Sequence, residues 1–110
     1  MDDGIYEVSF GREGNTPRYG LAVIKQGSVN GGGAGFIYLG QLTSTRGELT
    51  GRLEVKRWRE TEPTVLGGLA YCEVQLCGSS LGPGFSAIGR VVQHPKLHIQ
   101  MSGSFLSPAA

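Results

Sequence analysis

The chain has 110 residues and a formal net charge of +1, from 10 basic and 9 acidic residues. One domain over residues 1–110 is expected at this length, and the balanced charge gives no overall field to concentrate nucleic acid or an anionic membrane. Its 19 glycines follow no collagen period and lie among regularly spaced apolar residues, so a folded domain is expected rather than disorder.

The start of the chain and its cysteines predict a cytoplasmic protein. Residues 1–4 are acidic where a secretory signal is basic, and no stretch approaches the ~20 apolar residues of a membrane span. Cys72 and Cys77 lie in one predicted strand, roughly 17 Å apart, which exceeds the ~7 Å that a disulfide bridges between Cα atoms. They are expected to be reduced thiols.

Apolar and polar residues alternate along most of the chain, and this period of two predicts strands. The predicted strands cover residues 6–10, 18–25, 36–42, 48–58, 70–77, 85–93 and 97–105, with a short additional strand at 28–30. Turns are expected at 26–27, at the LGPG of residues 81–84 and at the His-Pro pair 94–95. At most one helical turn is expected, within residues 60–69.

Seven or eight successive strands joined by short turns predict an all-β fold. Closing such an antiparallel sheet into an up-and-down barrel removes its exposed edges. Glycines within the predicted strands favour a small barrel, because a tightly coiled sheet needs bends and close backbone approaches. We therefore predict a seven- to eight-stranded antiparallel β-barrel.

The glycine-rich GGGAG of residues 31–35 is not expected to bind phosphate. It leads into the extended segment FIYLGQL, without a following Gly-Lys-Ser/Thr and without a helix whose N–H groups could face an anion. A strand connection is the better interpretation.

The GSSLG of residues 78–82 matches the G-x-S-x-G pattern of a nucleophilic serine, with Ser80 in the central position. That motif needs an acid and then a histidine later in the chain, and no Asp or Glu follows Glu73. A turn is expected here instead of a hydrolase site. No other pair of acidic or histidine residues is spaced for acid–base catalysis, so we predict a protein that is not an enzyme and needs no cofactor.

Two cysteines and two histidines superficially resemble a zinc finger: Cys72, Cys77, His94 and His98. The pairs are too far apart for a finger, and strand alternation sends the two thiols to opposite faces. No metal site is predicted.

The KRWRE segment, residues 56–60, combines basic residues with Trp58, as in some single-stranded nucleic-acid sites. Glu60 within this segment and two nearby acids, at positions 54 and 62, cancel most of its charge. We expect a solvated strand end with Trp58 at the barrel rim and no direct nucleic-acid binding.

Four stretches, in the right order and across almost the whole chain, resemble the GrlR family of negative regulators of type III secretion. They are DGIYEVSF at 3–10, GLAVIKQGSVNGGGAGFIYLGQL at 20–42, RWRETEPTVL at 57–66 and KLHIQMSGSFLSP at 96–108. They resemble the family's opening strand, its lysine-x-glycine hairpin with paired glycines, its arginine-aromatic stretch and its last strand. The resemblance implies a lipocalin-like barrel.

The resemblance also implies a bacterial cytoplasmic homodimer that holds a transcriptional activator away from its task. In the family's type member, the loop after the tyrosine-glycine strand holds the activator with a run of four alternating acids. The matching loop here is Thr43, Ser44, Thr45, Arg46, Gly47 and Glu48, which has one acid and adds an arginine. This loop is the predicted partner-binding site, with a less negative surface than in the type member.

An alternative function is transport or sensing of a small apolar ligand, because an eight-stranded barrel either fills with side chains or holds one ligand. Five aromatic residues are candidates to line such a cavity: Phe36, Tyr38, Trp58, Phe85 and Phe105. Alternation alone does not say which strand face is interior.

Overall fold

A computed structural model describes residues 1–12, 16–59 and 69–110. These residues form eight strands: β1 Gly4–Gly11, β2 Arg18–Lys25, β3 Ser28–Gly33, β4 Phe36–Thr45, β5 Glu48–Arg57, β6 Tyr71–Leu81, β7 Gly84–Val91 and β8 His94–Ser107. Each strand pairs antiparallel with the next, and β1 also pairs with β8, which closes the barrel. The predicted all-β up-and-down barrel is confirmed, with eight strands.

Several strand and turn bounds differ from the sequence prediction. The strand predicted at 28–30 extends to residue 33, and the turn predicted at 94–95 lies at 92–93. Pro95 is tolerated inside β8 because the register shifts between Arg90 and Val91, so that Val91 pairs with His94 and Arg90 with His98. Such an irregularity accommodates a residue that cannot donate a ladder hydrogen bond. The helical turn predicted within 60–69 falls almost entirely outside the described residues.

The barrel interior is built from large side chains that face glycines on the neighbouring strands. Phe85 pairs with Gly103, and Leu53 pairs with Gly40. A Cβ on Gly103 would overlap the ring of Phe85, so the glycine provides the space that the ring occupies. Alternation of small and large residues is how a narrow barrel fills its interior.

Aromatic rings pack against each other at both ends of the interior. Tyr6 contacts Phe105 edge-on, with ring centroids 5.5 Å apart, and lies 5.9 Å from Phe85. Towards the opposite end, the centroids of Phe10 and Tyr38 are 4.5 Å apart. Side chains, among the described residues, therefore occupy much of the barrel axis.

Candidate interaction surfaces

One end of the barrel, which we call the hairpin end, carries the turns at 26–27, 46–47 and 82–83. Each turn is tied to the strand that follows its hairpin, through three backbone hydrogen bonds: Leu42 N to Gly27 O (2.7 Å), Ser80 N to Gly47 O (2.9 Å) and Phe105 N to Pro83 O (2.8 Å). These bonds connect neighbouring hairpins. The hairpin end is therefore held by backbone bonds in addition to its strand ladders.

The predicted partner-binding loop forms the tip of the β4–β5 hairpin. Thr45 pairs with Glu48, and Arg46 and Gly47 make a two-residue turn with φ of 54° and 82°. Positive φ at both central positions is typical of a type I′ turn, which matches the twist of the flanking strands. The Ser44 hydroxyl lies 2.6 Å from the Ser80 hydroxyl on β6. The side chains of Arg46 and Glu48 are thus displayed to solvent from a fixed backbone.

The β2–β3 hairpin has the same turn geometry and provides a natural control. Gln26 and Gly27 have φ of 51° and 82°, and the Gln26 backbone N–H donates to Asp3 Oδ1 at 2.8 Å. A residue with a long side chain is strained at this φ, whereas asparagine adopts it readily. Arg46 and Gln26 therefore both adopt a backbone conformation that is unfavourable for their residue types.

Substituting asparagine at either turn is expected to stabilise the barrel. We expect Arg46→Asn and Gln26→Asn each to raise the free energy of unfolding by about 0.5–1 kcal/mol, by relieving strain at positive φ. Urea unfolding of the single and double variants measures this, and the effects should add because the turns belong to different hairpins. A loss of stability in both variants would contradict the assigned turn geometry.

The structure places four of the five aromatic candidates inside the barrel and one outside. Phe36, Tyr38 and Phe85 are buried, and Phe105 is half-buried against the interior. Burial raises the pKa of the Tyr38 hydroxyl, an effect that the nearby positive charge of Arg18 opposes.

Trp58 lies at the rim opposite the hairpin end and is 52% exposed. Its indole N–H donates to the Gly33 carbonyl at 3.2 Å, and its backbone N–H donates to the Gly35 carbonyl at 2.8 Å. The Arg59 guanidinium lies over the ring, 4.9 Å from its centroid. Trp58 therefore packs over the β3–β4 connection, as expected for a rim residue, and it does not join the buried aromatic residues.

The residues of the serine motif and of the cysteine–histidine set do not form a catalytic or metal site among the described residues. Ser80 belongs to β6, which continues to Leu81, so the turn predicted at 78–82 begins later, at residue 82. Cys72 is buried and Cys77 is exposed, as the alternation predicted. Among the described residues, no three or more His, Cys, Asp or Glu side chains are grouped as they would be around a metal ion.

The outer surface of the barrel contains an apolar area that sequence reasoning missed. Strand β2 is apolar on both faces: Ala22 and Ile24 are buried inside, whereas Tyr19, Leu21 and Val23 point outward. The area continues across β3 to the outward side chains of β4. We call the set Tyr19, Leu21, Val23, Asn30, Gly32, Ile37 and Leu39 the apolar face. The signal was present in the sequence LAVI of residues 21–24, where the residues that point inward and those that point outward are both apolar.

Other parts of the outer surface are polar. On β5 and β6, the Arg52 guanidinium pairs with the Glu73 carboxylate, and Lys56 Nζ lies 3.7 Å from Glu54 Oε2. A depression of about 300 Å³ lies outside β1, β7 and β8, and serine hydroxyls and the Gln100 amide contribute to its lining. Its lining within the described residues includes no charged side chain.

Together, the closed eight-stranded sheet, the side chains that pack inside it and the rigid hairpin end define a small up-and-down β-barrel whose candidate functional features lie on its surface. The profile of a family described as the T3SS negative regulator GrlR matches residues 1–108. The chain therefore belongs to the GrlR family, whose members are negative regulators of type III secretion. No curated protein matches the chain. Within the described residues, no helix has the length and apolar character needed to cross a membrane.

Proposed function

We propose that this protein restrains type III secretion by binding a transcriptional activator through its hairpin end, without catalysing a reaction. The match to the GrlR family along residues 1–108 is the observation that supports a regulatory role. The site within the chain is supported by the 43–48 hairpin, which presents exposed side chains on a backbone fixed by two positive-φ residues and a hydrogen bond to β6. A preorganised loop loses little conformational freedom when it binds.

The charge of this hairpin suggests the chemistry of the partner's contact surface. Arg46 and Glu48 are both exposed and stand two residues apart. A uniformly basic partner surface would be repelled by Arg46, so the activator surface facing the tip is proposed to carry at least one acidic group. This arrangement would use charge of both signs in place of a uniformly acidic loop.

Reversing the charge at the hairpin tip is expected to slow association with the activator. Arg46→Glu should reduce the association rate about five- to tenfold at low salt, with the difference shrinking as salt increases, because exposed charges act mainly through screened long-range attraction. The activator is first identified by tagged capture from a lysate of the source bacterium, and the rates are then measured with the two purified proteins.

Gln26→Glu is the matched control for a second variant, Arg46→Gln, because each makes the charge of its turn more negative by one unit. Gln26→Glu should have a smaller effect on the association rate than Arg46→Gln. Equal rates for the wild type and Arg46→Glu would remove the 43–48 hairpin from the interface, while capture of no activator would count against the proposed function itself.

The ligand-carrier alternative stays a prediction. It receives no support from the interior, where Tyr6 packs against Phe85 and Phe105, and Phe10 packs against Tyr38. Native mass spectrometry of freshly purified protein would reveal a bound apolar molecule as added mass. The proposal therefore rests on protein–protein contact, in the cytoplasm and as a homodimer, as the family resemblance implies.

A further inference from the structure

The 43–48 hairpin is too small to be a complete protein interface. A stable interface buries about 800 Å² of each partner and involves about 20–30 residues on each side, whereas this hairpin has six residues. The activator of the proposed function therefore also needs surface beside the hairpin. The strand register identifies the surface that continues from the hairpin without a break.

On the β6 side, a row of small hydroxyl side chains begins at the hairpin itself. Glu48 pairs with Ser79, Ser79 pairs with Ser86, and Ser86 pairs with Ser102. All four residues are exposed on the outer surface. Neighbouring strands lie about 4.8 Å apart, so this row extends from the hairpin across β6, β7 and β8.

A second row lies beside the first, further from the hairpin tip. Thr50 pairs with Cys77, Cys77 pairs with Ile88, and Ile88 pairs with Gln100. These residues are also exposed. We call the two rows without Glu48 the neutral face, because no acidic or basic residue belongs to them: Thr50, Cys77, Ser79, Ser86, Ile88, Gln100 and Ser102.

Charged side chains border the neutral face but do not enter it. The next row away from the hairpin tip consists of Arg52, Gln75, Arg90 and His98. Glu48 lies on the opposite border, at the hairpin. The centre of a protein–protein interface is typically depleted of charged residues, and its rim is polar. The neutral face and its border have this arrangement.

Ile88 is the largest apolar side chain of the neutral face and is 50% exposed. Its cross-strand neighbours, Cys77 and Gln100, carry a thiol and an amide. The depression outside β1, β7 and β8 lies beside it, since Ile88, Ser86 and Ser102 all contribute to the lining. An apolar side chain next to a concave site, within a ring of polar groups, is typical of the residues that dominate binding energy.

The surface on the other side of the hairpin does not continue in this way. There, a row formed by Lys25, Ser28 and Gln41 separates the hairpin from the apolar face. Lys25 is exposed and places a charge between the two surfaces. On the β6 side, the pairing of Glu48 with Ser79 joins the hairpin directly to the neutral face.

We propose that the activator binds across the hairpin tip and the neutral face together, with an uncharged, partly apolar surface on Ile88 and one side chain in the depression beside it. This inference rests on the proposed function and extends its site. Arg46 and Glu48 affect the rate of encounter, because charges act at long range. Ile88 affects how long the complex lasts, because apolar contacts act only at short range.

Rates measured with the captured activator test these separate roles. Ile88→Ala is expected to raise the dissociation rate about tenfold and to leave the association rate and its salt dependence unchanged. Val92→Ala is the matched control, because Val92 is 40% exposed in the turn at the opposite end of the barrel. It should leave both rates unchanged.

Filling the depression is a second test that does not depend on Ile88. Ser86→Trp should weaken binding of the activator about tenfold, because the new ring occupies the space proposed for the activator's side chain. Ser86 is exposed on a strand, where tryptophan is favourable, so the far-ultraviolet circular dichroism should stay that of the wild type. Val92→Trp is the control, since it adds the same ring at the opposite end.

The proposal is overturned by a wild-type dissociation rate in Ile88→Ala, by wild-type affinity in Ser86→Trp, or by equal losses in the Val92 controls. Arg46→Glu separates these failures from failure of the proposed function. If it slows association while Ile88→Ala and Ser86→Trp have no effect, the neutral face is outside the interface and the hairpin remains within it. If the lysate yields no activator, the proposed function fails and this inference fails with it.

Discussion

Replacing Gly40 with alanine is expected to lower the free energy of unfolding by about 3 kcal/mol. Gly40 faces the interior from β4 and lies opposite Leu53 on β5. A Cβ at this position would overlap the Arg52 carbonyl oxygen and stand 2.8 Å from Leu53 Cδ2 and 2.9 Å from Leu53 Cα. Because two of these atoms belong to the backbone, relief requires the β4 and β5 strands to separate locally.

The sign of the change in unfolding free energy for Gly40→Ala shows whether steric packing or the intrinsic strand propensity of alanine dominates at this position. Alanine is conformationally less costly than glycine within a strand, by roughly 0.5–1 kcal/mol, so propensity alone predicts a more stable variant. Urea unfolding monitored by circular dichroism measures the difference directly. A Gly40→Ala protein as stable as the wild type would mean that the barrel has more interior space at β4 than the structure gives it.

Gly82→Ala is the control for a glycine that is needed for its backbone angle alone. Gly82 has a φ of 63°, and an added Cβ would meet no atom within 4 Å. The expected loss is about 1 kcal/mol, from placing alanine in the left-handed region. A larger loss for Gly82→Ala than for Gly40→Ala would contradict the assignment of the interior.

The barrel was predictable from sequence because alternation and turn residues act locally. YEVSF and LHIQMSGSF each show one apolar face, and a single glycine lies in each of the turns at 26–27, 46–47 and 82–83. The turn at 92–93 was not predictable in this way, since the His-Pro pair that follows it is a strong local turn signal. Its actual place depends on the pairing of Val91 with His94, a contact between strands that local patterns do not contain.

The candidate surfaces were predictable to different degrees. The loop at 43–48 followed from the family resemblance, but the positive φ of Arg46 required the strand register on both sides. The apolar face was missed because β2 carries apolar residues on both of its faces, so alternation does not distinguish the inner face from the outer one. Only closure of the barrel decides that Ala22 and Ile24 point inward and that Leu21 points outward.

Raising the pH above 9 is expected to destabilise the barrel through Cys72. This thiol is fully buried on β6, and burial raises its pKa from 9.0 to about 11. The unfolded chain therefore loses its thiol proton near pH 9, while the folded protein retains it until about pH 11. Because the unfolded state binds fewer protons in this window, the stabilisation is complete below pH 9 and is lost as the pH rises through 11.

Each pH unit within this window should lower the free energy of unfolding by up to about 1.4 kcal/mol. Urea unfolding at pH 8, 9, 10 and 11 gives the slope. Burial also raises the pKa of the Tyr6 and Tyr38 hydroxyls, so the wild type should lose further stability at the top of the range. A comparison of variants is needed to isolate the thiol.

Cys72→Ala removes the buried thiol and should flatten the slope between pH 9 and 11, although its stability at pH 8 is lower because of the lost side-chain volume. Cys77→Ser removes the exposed thiol on the same strand and should keep the wild-type slope. Equal slopes for the wild type and Cys72→Ala would mean that water or structural opening reaches Cys72 in the folded state. In that case the interior beside β6 would be less closely packed than the pairing of Val55 with Cys72 implies.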